Sequence, residues 1–111
     1  MLFSRSKSLS PADALAALQR GELQLVDVRE AAELSRGAVK GATHVPLGQL
    51  QSRLAGLQRD RPVAFICQSG ARSARATRAA TKAGLDAANV TGGVAGWKRA
   101  GLPLMTSRRA R

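Results

Sequence analysis

Along the chain, short apolar runs alternate with stretches in which apolar residues recur every three or four positions. Ser10, Pro11 and Asp13 suit an N-cap, a first-turn proline and a third-position acid. Leu15 and Leu18 follow at helical spacing, so a helix is expected to run to Arg20 and end at Gly21. Residues 23–28 predict a strand with a strong apolar bias, with Asp27 and Arg29 at its exit on opposite sides of Val28. Residues 30–36 predict a short helix stopped at Gly37, and 41–46 a turn followed by a brief strand that Pro46 ends. Leu47, Leu50, Leu54 and Leu57 have the spacing of an amphipathic helix. The run 62–66 suits a buried strand of a parallel sheet. Residues 73–83 lack Gly and Pro and are rich in Ala, Arg and Lys, which predicts a helix with Gly84 as its C-cap. Residues 86–90 supply another short strand, 92–97 open a final turn or helix, and 102–104 lead off the domain.

Strands alternating with helices predict an α/β fold, a mainly parallel central sheet flanked by helices on both faces. Ligands in such folds bind beyond the carboxyl ends of the strands. Cys67 and Asp27 both stand at such ends. The sequence shows no internal repeat and no low-complexity linker. A chain of 111 residues reads as one domain, here 9–104, with basic tails over 1–8 and 105–111.

Composition narrows the function classes. No apolar stretch approaches the ~20 residues that span a bilayer, and the first residues lack the apolar core of a secretory signal. One cysteine permits no internal disulfide, which suits a reducing compartment, and the expected location is cytoplasmic. The formal net charge is +11, of which Arg5, Lys7, Arg108, Arg109 and Arg111 in the tails contribute five. The basic body favours anionic ligands and leaves room for an acidic protein partner. Nucleic acid is disfavoured because Phe3, Phe65 and Trp97 are the only aromatics and form no stacking platform.

The chemistry concentrates in the loop Cys67-Gln68-Ser69-Gly70-Ala71-Arg72-Ser73, between a predicted strand and a predicted helix. Backbone N–H groups at such a junction point into the loop, and the helix dipole adds partial positive charge. Gly70 allows a tight curl, so successive N–H groups can form an anion-binding nest around the sulfur. A thiolate held there has a lowered pKa and is a ready nucleophile. Arg72 adds a permanent cation with a bidentate donor fork. A single cysteine is often an inert core filler; the polar residues that follow Cys67 argue for a functional thiol. Arg72, Arg75, Arg78 and Lys82 recur at three- and four-residue spacing, which is read as a solvated face that also attracts anions.

Four separated signatures resemble the rhodanese family of sulfurtransferases, in its small single-domain form. The Cys67-to-Ser73 loop matches the Cys-x-x-Gly-x-Arg-Ser form, and Asp27-Val28-Arg29-Glu30 the Asp-x-Arg-Glu strand exit. Residues 37–47 match the family's Gly-His-Ile-x-Gly-Ala-x-x-Ile-Pro segment, and Gly92-Gly93-Val94-Ala95-Gly96-Trp97 its closing Gly-Gly-x-x-x-Trp. Ala38 stands where the family usually has a histidine, and His44 is expected to be structural rather than a catalytic base. The resemblance implies that Cys67 is the nucleophile and takes sulfur from a small anionic donor such as thiosulfate. It then holds a persulfide until a thiol or cyanide acceptor removes the sulfur. Arg72 would dock the donor, with Gln68, Ser69, Gly70, Ala71 and Ser73 shaping the pocket. Asp27, Arg29 and Trp97 are expected to give structural support. No cofactor is implied, and one Cys with one His cannot form a zinc site. Two rivals remain: a non-enzymatic sulfur relay or binding module, and a phosphatase or arsenate reductase of the same architecture. The second class has one more residue between its loop Cys and Arg.

Overall fold

The computed structural model describes residues 8–106. Five strands form one sheet: β1 (Ser8–Leu9), β2 (Gln24–Asp27), β3 (Thr43–His44), β4 (Val63–Ile66) and β5 (Ala87–Val90). Their spatial order is β1-β5-β4-β2-β3, and every neighbouring pair is parallel. The helices are α1 (Pro11–Gln19), α2 (Ala31–Leu34), α3 (Leu47–Arg53), α4 (Ala71–Lys82) and α5 (Gly93–Arg99). A 3₁₀ turn, Leu54–Gly56, extends α3.

Parallel strands need crossovers, and crossover helices cover both faces of the sheet. The side-chain alternation of β4 shows how the core is divided. Ala64 and Ile66 pack with Ala14, Ala17, Val94 and Trp97 on the side of α1 and α5. Val63, Phe65 and Cys67 pack with Leu50, Leu54, Ala76 and Ala80 on the side of α3 and α4. All four β4 residues are buried, as a central parallel strand requires. Cys67, the next residue in the alternation, therefore points towards α4.

Helix α1 has the expected cap: the Ser10 hydroxyl accepts from the Asp13 N–H (3.1 Å). Its buried residues, however, are Ala14 and Ala17, while Leu15 and Leu18 are half-buried. The small alanines face the sheet and the longer leucines close over the edge of the core. Helix α4 begins at Ala71, two residues before the expected Ser73, because Gly70 adopts φ +114° and serves as the N-cap. That left-handed conformation suits glycine. Residues 102–104 do not lead away. Leu102 and Leu104 pack on the core, and Met105 forms an antiparallel bridge with Ala38. Ser8 pairs in β1 and Met105 in the bridge, each one residue outside the expected 9–104. The remaining tail residues lie outside the described residues. Among the described residues no helix is long and apolar enough to cross a membrane.

Candidate active site

Cys67 follows β4 directly, and its side chain is 1% exposed. The Gly70 N–H donates to Sγ at 3.0 Å and the Ser73 N–H at 3.3 Å. Ser73 Oγ lies 3.2 Å from the same sulfur. Burial pushes the Cys67 thiol up, but the Ser73 hydroxyl and the N–H groups of Ser73, Gly70 and Ser69 outweigh it. The net pKa falls below the ordinary value. The N–H groups of Ala71 and Arg72 lie in the first turn of α4, which has no intrahelical acceptors.

The far end of the sequence holds this loop open. The first N–H groups of α5 take the loop carbonyls: Val94 donates to Cys67 O (2.8 Å) and Ala95 to Gln68 O (3.1 Å). With those carbonyls turned outward, the loop's N–H groups turn inward. Close approach of α5 depends on Gly93, where a Cβ would lie 2.4 Å from Cys67 O. Trp97, fully buried, anchors α5 and donates from Nε1 to Pro103 O at 3.0 Å.

Asp27 and Arg29 are buried and paired, Arg29 Nη2 meeting Asp27 Oδ2 at 2.9 Å. Arg29 also donates to Gly37 O (2.8 Å) and reaches Gln68 Oε1 at 3.5 Å, so it ties β2 to the segment after α2 and to the loop. His44 places Nε2 2.7 Å from Arg29 O, a contact with backbone and not with the sulfur. Ala38 spends its backbone on Met105, with N–H···O distances of 2.8 Å in both directions.

Arg72, expected to dock the donor, is paired with a carboxylate. Its Nη1 and Nη2 donate to the two carboxylate oxygens of Glu33 at 2.7 and 2.8 Å. The Arg72 hydrogen bond outweighs partial burial and holds the Glu33 carboxyl down at about 2, while the Arg72 pKa is raised. Glu33 Oε1 also accepts from the Glu30 N–H (2.9 Å), fixing the start of α2. Sequence reasoning missed Glu33, although its place three residues after Glu30 carries a helix-start signal. It also missed Asn89, whose Oδ1 accepts from the Ser73 hydroxyl and whose Nδ2 donates to Gly70 O (3.2 Å). A polar residue within the apolar run of β5 was the available signal.

Gln68 and Ser69 are exposed at the loop tip, as is Ala71. A cavity of about 340 Å³ opens beside Gln68, lined in addition by Arg29, Glu33, Arg36, Lys98 and Leu104. Among the described residues no cluster of His, Cys, Asp and Glu is arranged to hold a metal ion. The assembly can therefore stabilise an anion on or beside one buried sulfur.

Residues 10–100 match the family model for the rhodanese-like domain. The chain belongs to the rhodanese family. It is 35% identical over 77 residues to a putative sulfurtransferase, YtwF, of Bacillus subtilis, covering 69% of this chain and 75% of that protein. It is 34% identical over 85 residues to a sulfurtransferase of Allochromatium vinosum, covering 76% and 79%. A rhodanese-related protein from Thermoplasma volcanium superposes with a TM-score of 0.83 at 31% identity, covering 89% of this chain and 97% of that one. Sulfur transfer is thus the chemistry of the family to which this rhodanese-like domain belongs.

Proposed function

We propose that Cys67 carries sulfane sulfur as a persulfide, taking it from thiosulfate or a persulfide donor and passing it to a thiol or to cyanide. The observation that carries this reading is the ring around Sγ, formed by the donating N–H groups of Gly70 and Ser73 and by the Ser73 hydroxyl, which can donate once the sulfur is charged. The Cys67 thiolate attacks the outer sulfur of thiosulfate, the S–S bond breaks, and sulfite leaves with the bonding pair. The persulfide that remains carries one negative charge, which the first-turn N–H groups of α4 stabilise. An acceptor thiolate then attacks the terminal sulfur, and the electron pair returns to Cys67. Neither step needs an external oxidant or a metal. A lone reduced thiol suits the cytoplasm.

A phosphatase reading is disfavoured by loop length: four residues separate Cys67 from Arg72, one fewer than in that class, which leaves less room inside the ring of N–H groups for a tetrahedral oxyanion. A relay role uses the same persulfide and differs only in having a protein as donor or acceptor.

The test is intact mass spectrometry after mixing the protein with thiosulfate or with a small persulfide, beside Cys67→Ser. A gain of one sulfur on the wild type alone, removed by cyanide, is expected. No gain with either donor, in folded protein, would overturn the reading.

A further inference from the structure

Helix α4 starts at the sulfur loop and runs twelve residues without an acid. Its buried face is Ser73, Ala76, Thr77 and Ala80. On the opposite face Arg75, Arg78 and Lys82 are all exposed, in a row that begins one turn from the loop. Among the described residues none of the three makes an ion pair or a side-chain hydrogen bond, while Arg72 is the one cation of the helix that has a carboxylate. Residues 1–7 and 107–111 contain no Asp or Glu.

Lys82 complements the C-terminal end of α4, but nothing in the fold accounts for Arg75 and Arg78. Like charges three and four residues apart on a helix repel one another. Beside the row, between α3 and α4, lies an open groove of about 980 Å³ lined by Gln51, Arg78, Ala79, Thr81, Lys82 and Ala83. From Arg75 to Lys82 the row spans about 10 Å, the length of a short docked segment.

We propose that the exposed face of α4 is the docking surface for an acidic segment of a protein that gives sulfur to, or takes it from, Cys67. The partner's Asp and Glu side chains pair with Arg75, Arg78 and Lys82, and its thiol reaches the loop at the helix N-terminus. The sulfur-carrying role rests on the persulfide reading above; the docking surface does not. In the transfer step the partner thiolate forms an S–S bond to the terminal sulfur as the bond to Cys67 breaks. The charges on both sides balance.

The experiment uses the full chain preloaded with one sulfur on Cys67. The acceptors are a cysteine peptide rich in Asp and Glu and its Asn/Gln counterpart. Transfer to the acidic peptide is expected to be at least tenfold faster at low salt, with the advantage lost at high salt. Arg75→Glu/Arg78→Glu should abolish that advantage. Lys40→Glu/Arg53→Glu, an equal charge change elsewhere, should retain it. Equal rates for the two peptides, or equal losses in the two double variants, would overturn the proposal. Fluorescence anisotropy of the labelled acidic peptide gives a readout without sulfur. Binding that depends on α4 in a folded protein that cannot be loaded with sulfur would uphold the surface and sink the persulfide reading. Tighter, α4-dependent binding of an oligonucleotide of equal charge would replace the protein partner with nucleic acid.

Discussion

Ser73 Oγ lies 3.2 Å from Cys67 Sγ while the same hydroxyl donates to Asn89 Oδ1. A hydroxyl has one proton, so it cannot donate to both at once. With its proton on Asn89, Ser73 accepts from the Cys67 thiol. When Cys67 ionises, the hydroxyl turns and donates to the thiolate. Asn89 therefore fixes the hydroxyl for the neutral sulfur, and Cys67 claims it for the charged one.

Ser73→Ala should raise the Cys67 pKa towards its ordinary value, because the hydroxyl is the strongest of the groups that lower it. The rate of alkylation or sulfur loading rises with pH as the thiolate forms, so its midpoint should move to higher pH. At neutral pH the rate should drop about tenfold, the equivalent of one hydrogen bond to a charged group. The check is a pH–rate profile of Cys67 alkylation. A profile that does not move would refute the role given to Ser73.

The Arg72–Glu33 pair should govern donor charge. Glu33→Gln keeps an acceptor for the Glu30 N–H but frees the Arg72 charge, so the KM for thiosulfate should fall by about fivefold, the scale of a partly exposed ion pair. Arg72→Ala should raise that KM, since it leaves the Glu33 carboxylate facing a dianion. Stability gives a second readout. The Glu33 pKa, about 2, is depressed from 4.5, so its contribution is present above pH 4.5 and lost as the pH falls towards 2. Glu33→Gln should flatten that acid limb in denaturant titrations.

Gly93→Ala should damage both fold and site. The new Cβ would lie 2.4 Å from Cys67 O and 2.6 Å from Gln68 O, and φ is +60°. Relief requires α5 to withdraw from the loop, which costs the two N–H···O bonds that orient it. A loss of about 2–4 kcal/mol in unfolding free energy is expected, together with slower sulfur loading. Unfolding by urea and the loading assay check the two parts separately.

Asp27→Asn should destabilise the protein by about 3–5 kcal/mol, because it leaves the buried Arg29 guanidinium without a counter-charge. Both side chains are 2% exposed, so water cannot take the place of the carboxylate. Arg29→Met/Asp27→Leu, which removes both charges, should recover part of the loss in the same urea titration.

The persistence of the loop in sequence explains why so much of the site was legible. Cys67 to Ser73 is one contiguous stretch, and a strand end followed by glycine and a helix start has one local geometry. The alternation of apolar runs with helical spacing likewise announced the parallel sheet. Leu15 and Leu18 were misleading: apolarity marked the helix face, but the distance to the sheet selected Ala14 and Ala17 for burial.

By itself, the sequence determined the element order from α1 onward, the covered parallel sheet, the position of the thiol and the strand–glycine–helix junction that cradles it. Each depends on periodicity or on neighbours a few residues apart, where local sterics and hydrogen bonding decide. The tertiary structure alone decided that Arg72 is held by Glu33, that Asn89 shares the Ser73 hydroxyl, and that α5 pins the carbonyls of Cys67 and Gln68. Glu33 and Arg72 are 39 residues apart, and Ser73 and Asn89 sixteen. Such pairs form only once the strand order β5-β4-β2 brings the carboxyl ends together, and no local rule fixes which polar groups then meet.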